Sequence, residues 1–329
     1  MTSRRRRPGF TLIELLVTTV LLAVVGGAVM AMLARQQRFY RGTSDIVDLR
    51  SQLRQGAFTI ASDLRGISSA GSDLVAMTDS SVDFRFVIGS SIVCKMTNTS
   101  TFIIPPLTLV NNNTLTTWLE KPGAGDTAFI FSEADSTIAT DDTWPAYGLG
   151  ASSVATNTGG CNALYTQAGD NSSDSYNLSP ASGTFCAALS ASNTLCGTIK
   201  RGAAIRFERR AHYSLHQFSD GQWYLGYCVR SCSGSDAISP IAGPFLSYVT
   251  SAGSGTSGIR FTAYDSTGAT VALAATPAIT PTTATSSKNV ARISLVLRGQ
   301  AKNLVNIEGL KKGTYVDSVR IDVALRNRS

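Results

Sequence analysis

Apolar and polar positions follow two different rhythms along this chain of 329 residues. From residue 10 to residue 34 the sequence is almost wholly apolar, with Glu14 as its one charge. At a rise of ~1.5 Å per residue this stretch is about 37 Å long, more than the roughly 30 Å of a bilayer's hydrocarbon core, so it predicts a membrane-spanning helix. The helical period continues beyond it. Ile46, Leu49, Leu53, Ile60, Leu64 and Ile67 recur at steps of three, four or seven, with Ala57 filling the gap, which is one apolar stripe on an amphipathic helix. From residue 10 to about residue 67 one helix would run ~87 Å. Gly42 and Gly56 are weak helix formers, costing about 1 kcal/mol each against alanine, and predict a bend or local melting near Gly42. Gly66 and the serine-rich run 68–72 end the helix.

The rhythm then changes to a period of two. Val82, Phe84, Phe86 and Ile88 alternate with Asp83 and Arg85, the pattern of a half-buried strand. Shorter strand signals occupy 102–104, 114–119 and 127–131, and others return at 203–209, where Ile205 and Phe207 share a face. The clearest hairpin follows: Tyr213 and Leu215, the turn pair Asp220-Gly221, then Trp223, Leu225, Tyr227 and Val229. Ile259, Phe261 and Ala263 alternate again. Two strong strands close the chain, one through Ala291, Ile293, Leu295 and Leu297 and one through Val319, Ile321, Val323 and Leu325. No helix is needed after residue 72. Two tracts rich in Ser, Thr, Asn, Gly and Ala, at about 132–198 and 270–287, interrupt the strands. The first holds too little apolar surface to repay its own ordering and is expected to be an excursion held by disulfides. The expected fold class is α+β: a long N-terminal helix packed on a mainly antiparallel β domain.

Charge sharpens the reading of the N-terminus. Arg4, Arg5, Arg6 and Arg7 precede the apolar run without acidic neighbours and would be held on the cytoplasmic side, leaving everything after Arg35 across the membrane. An ordinary secretory signal has an apolar region of only about 7–15 residues and a small-residue cleavage site, so this segment is too long for one. Neither that reading nor a plain signal anchor explains Glu14. A charge at bilayer depth costs roughly 2.5–3.5 kcal/mol on insertion scales, and an acid there calls for a partner.

Gly9-Phe10-Thr11-Leu12-Ile13-Glu14, behind a short basic leader and ahead of an unbroken apolar helix, resembles the type III signal of type IV prepilins and pseudopilins. The resemblance implies that a prepilin peptidase cuts between Gly9 and Phe10 and methylates the new amino group of Phe10. It also implies that Glu14, the fifth mature residue, pairs with the N-terminal ammonium of a neighbouring subunit. The division that follows is a leader at 1–9, an assembly helix at 10–34, its amphipathic continuation at 35–70 and an exported β-rich domain at 71–329. The helix ending in Arg50-Ser51-Gln52-Leu53-Arg54-Gln55-Gly56-Ala57 and Asp63-Leu64-Arg65, the large β domain and the closing strand pair are similar to PilW-type minor pilins and the related J-type minor pseudopilins.

Composition adds limits. The chain is 43% apolar and 16% charged, with a formal net charge of +7. Four of those seven charges are the leader arginines, so a chain without its leader carries three, and the basic balance is no argument for nucleic acid. Cys94, Cys161, Cys186, Cys196, Cys228 and Cys232 all lie in the exported part, which suggests up to three disulfides; the short loops Cys186–Cys196 and Cys228–Cys232 are the first pairs to consider. His212 and His216 would share a strand face about 13 Å apart, too far for one metal. Asp135, Asp141 and Asp142, or Asp170 and Asp174, lack the spacing of a twelve-residue calcium loop. Arg201, Arg206, Arg209 and Arg210 read as the solvated face of a strand. There is no Gly-x-Ser-x-Gly, phosphate loop or His-Glu-x-x-His, so the expectation is a non-enzyme with no cofactor and no metal.

The sequence therefore points to a minor pilin, inserted with its N-terminus in the cytoplasm of an inner-membrane system and assembled at or near a filament tip where it helps initiate assembly. The partners so implied are other minor pilins, the major pilin, the prepilin peptidase and the inner-membrane assembly platform. The alternatives are a minor pseudopilin of a type II secretion system and, from a different class, a membrane-anchored exported binding protein that does not polymerise.

Overall fold

One helix, α1 (Leu12–Arg65), runs through 54 residues without interruption, about 81 Å. It passes through Gly42 and Gly56 with no loss of helical structure, so the local melting expected as one outcome near Gly42 is absent. It ends at Arg65, capped by the Gly66 N–H on the Asp63 and Leu64 carbonyls. The computed structural model describes residues 9, 11–69, 73–109, 114–133, 137–138, 140–150, 152–155, 175–187, 196, 198–250, 256–275, 289–305 and 313–326.

Sixteen strands follow among the described residues: β1 (Leu74–Met77), β2 (Ser81–Ile92), β3 (Lys95–Asn98), β4 (Thr101–Ile104), β5 (Thr117–Trp118), β6 (Thr127–Ile130), β7 (Ala146–Gly148), β8 (Ser153–Ala155), β9 (Ser175–Leu178), β10 (Ala204–Gln217), β11 (Trp223–Val229), β12 (Ser239–Phe245), β13 (Ile259–Tyr264), β14 (Thr270–Val271), β15 (Arg292–Val305) and β16 (Gly313–Ala324). All pairings between them are antiparallel. The largest sheet runs β1-β2-β10-β11-β12, with β5 on β2 and the β6–β7 pair on β10. A second sheet runs β14-β13-β15-β16 and a third β3-β4-β9-β8. The architecture is α+β and pilin-like in organisation.

The C-terminal half of α1 packs on β12, β15 and β16. Leu53, Ile60 and Leu64 are fully buried there, among Leu225, Phe245, Leu295 and Leu297. Burying each such side chain is worth roughly 1.5–3 kcal/mol. Gly56 is needed for the close approach, because a Cβ at that position would sit 3.2 Å from Leu297 Cδ1 and 3.3 Å from Ala242 Cβ. Polar ties reinforce the contact. Tyr213 donates its hydroxyl to Asp63 Oδ2 at 2.6 Å, and Arg50 donates to Asp317 Oδ2 at 2.9 Å and to the Tyr315 hydroxyl at 2.7 Å.

A second core lies beyond the helix, where Ile88, Phe102, Ile130, Ile205 and Phe207 are buried between the large sheet and the third one. Strands β2 and β10 serve both cores, since Val82, Phe84, Tyr213 and Leu215 belong to the first. The pattern predicts two elements at 203–217, but the chain forms the single strand β10. Its second edge changes partner partway: β6 pairs with Ile205 to Glu208 and β11 with Ala211 to Gln217. Arg209 falls at that changeover. Its side chain, 4% exposed, donates to Asp126 Oδ1 and Oδ2 at 2.8 and 2.9 Å and also to Glu120, while Arg230 reaches the same two acids from the end of β11. The two arginines thus close the gap between β6 and β11 with charge-assisted bonds.

The first polar tract is more structured than its composition suggests. Its described parts contain β7, which extends the large sheet, and β8 and β9, which pair with each other and, through β9, with β4. In the second tract, β14 pairs with β13, and residues 276–287 lie outside the described residues.

Leu53→Ala is expected to lower stability by about 2–5 kcal/mol and Gly56→Val by about 1–3 kcal/mol, the first by a cavity and the second by overpacking. Chemical denaturation of the full chain in detergent checks both; a Gly56→Val protein as stable as the parent would contradict the close packing.

Candidate functional site

The N-terminal end of α1 is built by local chemistry. Thr11 occupies the N-cap with extended backbone angles, φ −78° and ψ 149°. Its Oγ1 accepts from the Glu14 N–H at 3.3 Å, and Glu14 Oε2 accepts in return from the Thr11 N–H at 3.1 Å and the Thr11 hydroxyl at 3.0 Å. This is a capping box, which satisfies donors that a helix start leaves without partners. The carboxylate that stands out in the sequence is therefore held at the mouth of its own helix. Gly9 is exposed, with open space around it. Phe10 and the four leader arginines lie outside the described residues.

Between Leu12 and Leu33 the large apolar side chains touch no part of the domain, with exposures from 84% at Leu12 to 46% at Leu33. The stretch is long and apolar enough to cross a membrane. Its two internal hydroxyls are satisfied within the helix, Thr18 donating to the Leu15 carbonyl at 3.0 Å and Thr19 to the Leu16 carbonyl at 2.9 Å. Such back-bonding lets a threonine enter hydrocarbon without an unmet donor. So much bare apolar surface requires lipid or other helices as its environment.

The remaining candidates fall elsewhere. Cys186 is joined to Cys196 and Cys228 to Cys232; Cys94 is disulfide-bonded too, and Cys161 lies outside the described residues. His212, 1% exposed, places Nδ1 3.4 Å from Asp83 Oδ1, and Asp83 also accepts from Arg210 at 3.2 and 3.1 Å. His216 is partly buried and stacks edge to face on Phe218, and burial together with neighbouring His212 lowers its pKa. Asp135, Asp170 and Asp174 lie outside the described residues, and among the described residues no three His, Cys, Asp or Glu side chains converge as metal ligands. The arginine cluster is a solvated face only in part: Arg201 is exposed and Arg206 and Arg210 are half-buried, but Arg209 is buried. Arg206 pairs with Glu208 at 2.7 Å, Arg210 with Asp83, and Arg209 is buried in the Asp126–Glu120 pair. Glu120, Asp126 and Arg230 were not singled out by pattern, because nothing local marks acids that meet a strand about 83 to 110 residues away.

Residues 4–30 match the family model described as the prokaryotic N-terminal methylation motif, a prepilin-type leader. No curated protein and no solved structure gives a significant match to the chain. The motif, the apolar helix that follows it and the antiparallel β domain packed on that helix are together similar to the organisation of type IV pilins and pseudopilins. Such a leader implies processing by a prepilin peptidase and assembly with other pilins, and the apolar helix fits a single-pass membrane anchor.

Among the described residues of the head domain, burial raises the pKa of Asp79 and, more strongly, of Glu208, which therefore has a pH signature. Glu208 is 2% exposed, and desolvation raises its pKa to about 7 despite the Arg206 charge beside it. A carboxyl that holds its proton more tightly when folded makes the folded state take up protons, so stability falls as pH rises from about 4.5 and the loss is complete above about 7. Glu208→Gln should flatten that part of the profile and be the more stable protein at pH 8 by about 1–3 kcal/mol. Thermal melts of both proteins between pH 4 and 8 test this, and parallel profiles would contradict it.

Proposed function

We propose that the protein is a minor pilin of a type IV pilus, matured between Gly9 and Phe10 and assembled through α1 at or near the filament tip, where it contributes to initiation. The role is structural rather than catalytic. The observation that carries it is Glu14, a single carboxylate at the fifth mature position of a helix half that the head domain leaves entirely bare.

Cleavage after Gly9 removes four arginines and creates an ammonium at Phe10. In a bundle of such helices, water is excluded and an unpaired carboxylate is strongly unfavourable, so Glu14 exchanges its capping role for the ammonium of a neighbouring subunit. The bonds it gives up are worth only about 1 kcal/mol, the usual value of an N-cap. Charge neutralisation between subunits then sets their axial register. A head of this size with two cores supports the assignment to a minor rather than a major subunit. Before assembly the leader lies in the cytoplasm and the head on the far side of the inner membrane, where the disulfides form. The assembly partners are the major pilin, other minor pilins and the inner-membrane platform.

Glu14→Ala should leave leader removal intact while abolishing incorporation into sheared filaments, measured by immunoblot of filament and membrane fractions. Intact mass measurement of the native protein should show a chain beginning at N-methylated Phe10. Native chains that retain the arginines would overturn the proposal.

A further inference from the structure

Directly after the apolar run, Arg35, Arg38 and Arg41 recur at every third residue, with Phe39 and Tyr40 between them. All five are exposed, Phe39 to 65% and Tyr40 to 70%. No salt bridge among the described residues includes any of the three arginines, whereas Arg206, Arg209, Arg210, Arg230 and Arg320 of the head are paired with acids. Three residues turn an α-helix by ~300°, so the arginines fan over roughly 120° of its circumference, and the two aromatic rings fall on the remainder. From Arg35 to Arg41 the helix rises about 9 Å, close to the 5–8 Å or so that a headgroup layer adds to each side of the hydrocarbon core.

We infer that these five residues form a collar that binds the phosphates of anionic phospholipids in the leaflet on the head-domain side. This rests on the reading of residues 10–34 as a membrane anchor. The guanidinium groups match phosphate oxygens in bidentate geometry, and tyrosine and phenylalanine beside them favour the headgroup level. The apolar run fixes which surface they meet, because it places them at the edge of lipid and not in open water.

The collar also sets depth. Arg35 and Glu14 are 21 residues apart along one unbroken helix, about 31 Å. That distance matches the hydrocarbon thickness of roughly 30 Å. With the arginines at the far headgroups, Glu14 lies at the near boundary, where it is still wetted and can cap its helix. The Gly9–Phe10 bond then lies within the near headgroup layer, open to a peptidase. Glu14 thus meets the low-dielectric interior only on leaving the bilayer for a bundle, which is when its partner is supplied.

The test is native mass spectrometry of the full-length protein released from membranes of phosphatidylethanolamine and phosphatidylglycerol. The wild type should retain phosphatidylglycerol in preference to phosphatidylethanolamine. A variant with Arg35→Gln, Arg38→Gln and Arg41→Gln should bind it roughly fivefold more weakly for each arginine removed. A second variant, with Arg4, Arg5, Arg6 and Arg7 all changed to glutamine, should keep the preference, which separates the collar from the leader's own attraction for anionic lipid. Unchanged retention by the triple variant, or loss of the preference in the leader variant, overturns the collar. Release of the wild-type chain by alkaline carbonate overturns the anchor itself and the collar with it, whereas a carbonate-resistant chain without the expected lipid pattern refutes the collar alone.

Discussion

A single rigid helix has to satisfy two media, and the rest of the molecule follows from how it does so. The first half of α1 carries apolar side chains on every face and back-bonds its two internal hydroxyls, which suits an environment that offers no hydrogen bonds. The second half narrows its apolar positions to one stripe and gives that stripe to two sheets at once. Because no break separates the halves, force or displacement applied to the bare half is transmitted directly to the core of the head. The head is thereby joined to the bare half of α1 by continuous helix rather than by a linker.

The head solves a second problem, that of extending well past the end of its helix. One sheet carries two cores, with β2 and β10 running through both. A strand shared in this way must change neighbours along its edge, and the changeover from β6 to β11 leaves backbone and side chains without regular pairing. Arg209, on β10, and Arg230, in the turn just after β11, converge there on Asp126 and Glu120. A partly buried charge set of this kind contributes little net stability compared with apolar packing, but removing Asp126, which is fully buried, would leave Arg209 and Arg230 only the exposed Glu120 as an acidic partner. It acts as a specific closure of the junction. The disulfides lie in and beside the outer part of the head, where the polar tracts supply the least apolar surface.

Much of this organisation was legible in the pattern of residues, and the exceptions share a cause. The stripe from Ile46 to Ile67, the alternation at Val82 to Ile88 and the closing strands are local signals, and each lies where its period places it. Local melting near Gly42 did not occur, since a glycine costs only about 1 kcal/mol in a helix whose neighbouring turns are otherwise stable. The division of residues 203–217 into two elements failed at Glu208-Arg209-Arg210, three charges in a row that look like an interruption. They are instead accommodated by acids brought from distant parts of the chain. The basic cluster departs from a solvated face at Arg209 for the same reason, and β8 and β9 emerged from a tract whose composition argued against strands because β4 supplies the edge they need.

By itself the sequence determined the N-terminal methylation motif, the apolar helix with its one carboxylate, the amphipathic continuation and the change to β structure, because each depends on periodicity or spacing within a few dozen residues. The tertiary structure alone decided that Glu14 caps its own helix through Thr11, that two cores share one sheet, and that Arg209 and Glu208 are buried. Those outcomes depend on which distant segments meet, and burial sets the energy of a charge through its surroundings in space, which no run of adjacent residues encodes.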